Sequence, residues 1–293
     1  MDPDLAGLVA QLPLSFTPTN LDKVLYPEAG ITKAQLIAYL AVVSERMLPH
    51  VANRPLTLVR YPNGRAKKGF FQKHPGKGTP KELASLAIAG DDDPWMVARD
   101  MSGLVAAAQL AALELHTWGC HAPDVERPDV LVLDLDPDTG LPWQRVAEAA
   151  FELRRRLAAL GLDSFVKTTG GKGLHVVAPI ATTTWDRLAT FARTFAEQVV
   201  RDQPTGYTAT MGKAQRTGRI YIDYVRNLRG STFVAPYSPR ARDHAPVATP
   251  IGWDELAAGV DPTSFTLLTV PHRLAAVADP WRDYPAIKQQ LPR

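Results

Sequence analysis

Residues 131–137 read Leu-Val-Leu-Asp-Leu-Asp-Pro, an apolar run carrying two carboxylates, Asp134 and Asp136, two positions apart. In a β-strand, side chains at i and i+2 leave the same face, so both carboxylates point at one spot. Two anions placed in this way repel each other unless a cation lies between them. A divalent metal held by oxygen ligands meets that need, as in enzymes that move phosphoryl or nucleotidyl groups. The same run also suits a strand ending in a polar turn, because Asp136-Pro137-Asp138-Thr139-Gly140 is good turn chemistry. A calcium loop fits less well: Gly140 stands one place late, and Arg145 occupies the position of the bidentate glutamate.

A chain of 293 residues can bury a large core, as one big domain or as two lobes. At 45% hydrophobic and 22% charged residues, the composition is that of an ordinary soluble globular protein. The single cysteine, Cys120, excludes an intramolecular disulfide and any multi-cysteine metal site. No apolar stretch approaches the length of a membrane span, and Met-Asp-Pro-Asp begins neither a basic nor a long apolar leader. A cytoplasmic location and no membrane partner are expected.

The formal net charge of +3 says less than its distribution. Between Glu45 and Glu82 there is no carboxylate, while Arg46, Arg54, Arg60, Arg65, Lys67, Lys68, Lys73, Lys77 and Lys81 are all basic. A second basic stretch holds Arg216, Arg219, Arg226, Arg229, Arg240 and Arg242, with Asp223 its only acid. Such segments attract a phosphate backbone or a triphosphate, although solvated basic loops also occur in proteins that bind neither. Phe70, Phe71, Tyr221, Tyr224 and Tyr237 lie among the cations, and aromatics beside cations suit stacked bases.

Along the chain, the first fifteen residues read as a loose arm. A turn at Tyr26-Pro27-Glu28-Ala29-Gly30 precedes a helix that Thr32 caps, with Leu36, Ile37, Leu40, Val43 and Met47 at helical spacing. Lys33 stands in its first turn, against the helix dipole, where a phosphate would give it a reason to be. Residues 55–61 and Phe70-Phe71-Gln72-Lys73 read as strands, and Ala106 to Leu115 as an alanine-rich helix that delivers His116 and Trp118. Helices are expected over Trp143 to Leu160 and Trp185 to Val200, and strands at 164–168, 174–180 and 219–224. This mixture argues for α/β layers.

Asp223 lies on the last of these strands among apolar and aromatic residues, and a buried carboxylate must find a cation or a donor. If it joins Asp134 and Asp136, three carboxylates can hold two divalent ions, in a polymerase or equally in a nuclease. A triphosphate pocket separates the two. Lys167-Thr168-Thr169-Gly170-Gly171-Lys172-Gly173-Leu174-His175 offers one: glycines let backbone N–H groups approach an anion, Lys172 adds charge and Thr169 a hydroxyl. It lacks Walker spacing and leads into a strand, so it is not a P-loop, and a plain glycine hairpin remains the alternative.

In order, the chain presents Leu-His-Thr-Trp at His116, Leu-Asp-Leu-Asp-Pro, Lys-Thr-Thr-Gly-Gly-Lys-Gly-Leu-His, Ile-Asp-Tyr and Ala-Pro-Tyr-Ser-Pro-Arg. This series strongly resembles the polymerase domain of bacterial ATP-dependent DNA ligase D, of the archaeo-eukaryotic primase superfamily, from Thr19 to Trp281. The resemblance implies an α/β fold with a primase-like catalytic core of mixed and antiparallel β-sheets flanked by helices, two lobes forming one compact domain over 1–293. Within it, 1–18 would be the N-terminal arm, 19–82 the part that binds the DNA end and template, and 100–293 the catalytic core.

The resemblance also implies a primase-polymerase that adds nucleotides to a DNA 3′ end during non-homologous end joining or gap filling. Asp134, Asp136 and Asp223 would hold two divalent ions, Mn2+ or Mg2+. His116, Thr169, Lys172, His175, Arg216, Arg226 and Arg240 would bind the incoming NTP or dNTP. Asn20, Lys23 and Lys33 would take the 5′-phosphate of the downstream strand, and Phe70 and Phe71 would stack on the templating base. The implied partners are gapped or 3′-overhanging DNA with a 5′-phosphate, a Ku-like end-binding protein and a DNA ligase, at the nucleoid. Ser231 departs from the pattern where some members carry a phosphate-binding lysine, which leaves that charge to Arg226 or Arg229. A stand-alone gap-filling polymerase of excision repair and a non-catalytic DNA end-bridging module are the rival readings; three carboxylates among cations count against the second.

Overall fold

The computed structural model describes residues 3–292. Its contacts gather into two compact units, Met1–Pro123 with Val234–Ala248 and Thr263–Asp279, and Asp124–Phe233 with Thr249–Pro262 and Pro280–Arg293.

The first unit opens with helix α1 (Pro3–Ala10), part of the stretch expected as a loose arm; its Val9 side chain is buried, which gives this helix an anchoring contact. Strands β1 (Val24–Tyr26) and β2 (Ile31–Thr32) flank the expected turn, where Gly30 adopts the left-handed φ of +63°. Helix α2 (Lys33–Val51) then starts on a capping box: Thr32 accepts from the Gln35 N–H while the Gln35 side chain takes the Thr32 N–H. Leu36, Ile37, Leu40, Val43 and Met47 form its buried stripe, as their spacing predicts. Strands β3 (Leu56–Arg60), β4 (Phe70–Gln72), β5 (Leu83–Leu86) and β6 (Trp95–Ala98) follow, then helix α3 (Met101–Gln109) and strand β7 (Ala112–Thr117). In the sheet, β7, β3, β6 and β5 lie in that order, with β4 also on β3.

The segment 106–115 is not one helix. Helix α3 stops at Gln109, Ala111 takes a φ of 56°, and the chain pairs with β3 from Ala112 onward. Sheet pairing overrides the helical preference of alanine here. His116 therefore sits on a strand, directly opposite Thr57.

The second unit is built on strand β8 (Val130–Pro137), followed by helix α4 (Trp143–Ala159), strands β9 (Phe165–Thr168) and β10 (Leu174–Pro179), helix α5 (Trp185–Asp202), and strands β11 (Tyr207–Thr208) and β12 (Ile220–Asp223). Beyond β13 (Phe233–Val234), an edge strand of the first sheet, come β14 (Pro250–Ile251) and helices α6 (Trp253–Ala257) and α7 (Val270–Ala276). The second sheet runs β11-β12-β8-β10-β9-β14. All its pairings are antiparallel except β11 with β12.

Strand β8 is central, and its period-2 pattern explains its position. Leu131, Leu133 and Leu135 leave one face and are fully buried. Val130 and Val132 leave the other and pack with Val177, Phe233, Trp281 and Tyr284. Each such side chain contributes roughly 1.5–3 kcal/mol of burial. The face that begins with these two valines continues as Asp134 and Asp136, so the apolar half of the strand anchors its acidic half. Where β12 ends, Asn227 replaces the missing strand: its Oδ1 accepts from the Val132 N–H at 2.8 Å and its Nδ2 donates to the Val132 carbonyl at 2.7 Å.

Candidate active site and phosphate-binding groups

Four side chains line up across the second sheet on one face. Lys167 on β9 is the partner of His175 on β10, His175 of Asp134 on β8, and Asp134 of Asp223 on β12. Directly opposite residues share a face, so Asp134, Asp136 and Asp223 form one acidic patch, as the alternation predicts.

Arginines hold this patch together. Arg226 reaches Asp134 Oδ2 with Nε at 3.3 Å and Asp223 Oδ2 with Nη2 at 2.9 Å. Arg216 donates to Asp136 Oδ2 at 2.6 Å, and its guanidinium lies over the Tyr221 ring, 4.0 Å from the centroid. The Tyr221 hydroxyl donates to Asp223 Oδ1 at 3.2 Å, and the Val225 N–H bonds the same oxygen at 3.0 Å.

The two opposed aspartates differ in acidity. Burial works against the Asp134 anion, but His175 beside it and the charges of Arg226 and Lys167 outweigh burial and hold it down at about 2. For Asp223 burial prevails, and its neighbour Asp134 adds to the rise above the ordinary carboxylate value. Burial first, and then the Lys167 charge, push His175 down to about 4. At neutral pH its ring is therefore uncharged, with Nε2 at 3.5 Å from Asp134 Oδ1.

The glycine hairpin joins β9 to β10 beside this row. Thr169 bonds the Gly173 carbonyl through both its N–H and its hydroxyl, at 3.2 and 3.1 Å. Gly170 takes a φ of +64°. At Gly173 a Cβ would lie 2.3 Å from the Leu135 carbonyl oxygen, so only glycine lets the hairpin approach β8 this closely. Lys172 extends to the Thr139 hydroxyl at 3.0 Å. Of the two cations considered for the role left by Ser231, Arg226 serves the aspartates, and Arg229 makes a bidentate pair with Glu126.

Among the described residues, no three His, Cys, Asp or Glu side chains gather on a point that would hold a metal as they stand. The donor set nonetheless fits a hard cation: three carboxylates on two adjacent strands, one of them kept ionised to very low pH.

In the first unit, Glu114 and His116 leave the same face of β7, and His116 Nε2 meets Glu114 Oε2 at 2.7 Å. Arg240 reaches the same carboxylate at 3.0 Å, and the Ala241 N–H bonds its other oxygen at 2.9 Å. Burial opposes the Glu114 charge, yet these donors and cations bring its carboxyl down to about 2. The sequence reading found His116 and Arg240 but not Glu114, which links them. The alternation in Ala112-Leu-Glu-Leu-His-Thr117 is the signal that marks it.

The 5′-phosphate candidates come together around the start of α2. Lys33 donates its N–H to the Lys23 carbonyl at 2.8 Å, and Lys23 donates its own to Asn20 at 3.1 Å. Lys33 is only 5% exposed, with Nζ 3.1 Å from the Gln109 carbonyl. Burial, and then the charges of Lys23 and Arg60, lower its pKa. Arg60 in turn covers the Phe70 ring at 5.3 Å. Phe70 and Phe71 are 46% and 72% exposed on β4, large apolar faces open to solvent.

A family model described as "LigD, primase-polymerase domain" matches residues 32–281. The multifunctional non-homologous end joining protein LigD of Pseudomonas aeruginosa is 36% identical over 274 residues, covering 92% of this chain and 33% of that protein. Its Mycolicibacterium smegmatis namesake is 38% identical over 244 residues, 82% of this chain and 32% of that protein. The chain thus spans about a third of the length of these relatives. Among solved structures, the polymerase domain from Mycobacterium tuberculosis ligase D in complex with DNA superimposes with a TM-score of 0.86 at 34% identity, covering 93% of this chain and 99% of that one. The expected mixed α/β architecture is the one these comparisons and the two sheets display.

Proposed function

The chain belongs to the LigD primase-polymerase domain family, a family of nucleotidyltransferases, and from that premise we propose that residues 1–293 act as one domain that extends DNA 3′ ends during end joining or gap filling. The observation that carries the reading is the acidic patch: Asp134 and Asp136 on one strand face, with Asp223 directly across from Asp134. Asp134, Asp136 and Asp223 are the residues that would hold two divalent ions, Mn2+ or Mg2+. Ions bound there would offset the negative charge that develops on the attacking and leaving oxygens.

The chain's own residues supply the rest. Thr169, Lys172 and the hairpin N–H groups bind the triphosphate, with Arg216 and Arg226 as further cations and His175 as an uncharged neighbour of Asp134. His116 and Arg240, organised by Glu114, serve the nucleotide as a preset pair. In the reaction the 3′ oxygen forms a bond to the α-phosphorus, the bond to the bridging oxygen breaks, pyrophosphate leaves, and the hydroxyl proton passes to solvent. Fixed cations facing the leaving group favour that charge movement without reorganising.

Asn20, Lys23 and Lys33 bind the 5′-phosphate of the downstream strand, and Phe70 and Phe71 stack on the template. The neighbouring cations Lys23 and Lys33 support an anionic 5′ end, and the substrate so proposed is gapped or 3′-overhanging, 5′-phosphorylated DNA at the nucleoid. A Ku-like protein and a DNA ligase are the proposed partners. The test is primer extension on a short gapped duplex with Mn2+, comparing a 5′-phosphate with a 5′-hydroxyl. Faster extension on the phosphorylated gap supports the reading; equal rates remove the 5′-phosphate assignment.

A further inference from the structure

Arg65 stands between the stretch that carries Lys23 and the stretch that carries Arg240. Its Nε and Nη2 take the two carboxylate oxygens of Glu28, in the turn between β1 and β2, and Nη2 also reaches Asp243 Oδ1 at 2.6 Å. Its backbone N–H donates to the Leu25 carbonyl of β1 at 2.8 Å. A planar guanidinium gripped in this forked way is fixed in orientation, which a single-contact ion pair is not.

The segment that Arg65 reaches needs to be held. His244 and Ala245 both take left-handed backbone, with φ of 61° and 48°, a conformation that residues bearing a Cβ keep where their surroundings impose it. Glu114 fixes the start of the segment, through the Arg240 side chain and the Ala241 N–H. Arg65 fixes it farther on, at Asp243. Between these points the Arg242 N–H bonds the Arg240 carbonyl at 2.8 Å and the Ala245 N–H bonds the Arg242 carbonyl at 3.2 Å. Residues 240–245 are thus one tight turn, and what orders Asp243 also orders Arg240.

At the other end, β1 begins immediately after Lys23, and β2 leads directly into Lys33 at the start of α2. The two lysines are therefore the two ends of one hairpin, whose turn holds Glu28. Neighbouring cations repel, and an anionic phosphate between them removes that repulsion. Tyr26, fully buried on β1, feels the charges of Glu114, Arg240 and Arg65, so the same strand runs against the nucleotide-binding pair.

We propose that Arg65 is a positioning residue that couples the two pockets: a 5′-phosphate on Lys23 and Lys33 fixes the hairpin, and the bridge of Glu28, Arg65 and Asp243 passes that order to Arg240, which then binds the incoming nucleotide more tightly. The inference rests on the 5′-phosphate and nucleotide assignments above and deepens them by linking the two. Linkage makes the effect reciprocal: the nucleotide strengthens binding of the phosphorylated end by the same factor.

The test measures KM for the nucleotide in primer extension by the 293-residue chain with Mn2+, on saturating gapped duplex bearing a 5′-phosphate or a 5′-hydroxyl. DNA affinity for both duplexes is titrated in parallel. In the parent, the 5′-phosphate should lower KM for the nucleotide by about fivefold. Asp243→Asn and Glu28→Gln cut the bridge at opposite ends, and in each the ratio should fall below about twofold while the preference for binding the phosphorylated duplex persists. Asp243→Glu, which keeps the carboxylate, should restore the parental ratio; a merely structural role would not move this ratio in step with the bridge. A parental ratio of one, or a full ratio in both bridge variants, overturns the coupling. A parent that extends both duplexes but binds them equally removes the 5′-phosphate assignment itself, and one that extends neither removes the nucleotidyl-transfer reading; either takes the inference with it.

Discussion

Asp223 lies directly across from Asp134 in the antiparallel pairing of β12 with β8, and one guanidinium, that of Arg226, bonds both carboxylates. The pair is thereby balanced by a cation the chain supplies itself. The two groups differ in kind, since Asp134 is held well below the usual carboxylate range and Asp223 is raised above it.

Removing that cation leaves two anions facing each other. Arg226→Gln should destabilise the fold by about 1–3 kcal/mol, less than the ~3–5 of a fully buried pair because the arginine side chain is 39% exposed. Thermal unfolding in a chelator measures the loss. Added Mn2+ should raise Tm more in the variant than in the parent, because the ion then meets less competition for the same oxygens.

Lys33 is buried, carries a lowered pKa and lies beside Lys23. Lys33→Ala should weaken binding to a 5′-phosphorylated gap and reduce the slope of log affinity against log salt by about 1. Binding to the 5′-hydroxyl gap should change little. Titrations at several salt concentrations read both, and an equal loss on the two substrates would assign Lys33 a purely structural role through its Gln109 contact.

Phe71 is 72% exposed, so Phe71→Ala should leave stability within about 0.5 kcal/mol. Loss of base stacking should still cost about 1–3 kcal/mol in template binding. Calorimetry and DNA titration on the same preparation separate the two effects.

Glu114 titrates near 2 in the fold against an ordinary value of 4.5, so the unfolded chain takes up the proton first as pH falls. Its contribution is complete above the ordinary value and is lost as pH drops toward the folded one; it amounts to at most about 3 kcal/mol. Tm followed from about pH 6 to about pH 3 should fall more steeply in the parent than in Glu114→Gln. Parallel curves would show that His116 and Arg240 do not hold this carboxylate.

The acidic patch is legible in the sequence because strand alternation is strictly local: Asp134 and Asp136 declare a shared face by spacing alone. Asp223 is legible as a carboxylate among apolar neighbours, and pairing then places it opposite Asp134. Helix α2 is legible from its cap and stripe. Strand β7 hides behind an alanine run whose helical preference continues past the break at Ala111. Strands β5, β6 and β14 and helices α6 and α7 are too short to develop a period. Lys167, whose charge acts on Asp134, and Asn227, which bonds Val132, gain their roles from partners distant in sequence, and no local pattern records those. The alternating return of residues 234–293 to the two units is likewise set by long-range contacts.

The most direct measurement of the central claim is single-turnover addition of one nucleotide to a DNA 3′ end with Mn2+, by the parent chain and by Asp134→Ala, Asp136→Ala and Asp223→Ala. The parent should add the nucleotide, and each variant should lose at least about 100-fold in rate with DNA binding retained. Addition at the parental rate by any of the three, or none by a parent that binds the same DNA, would contradict it.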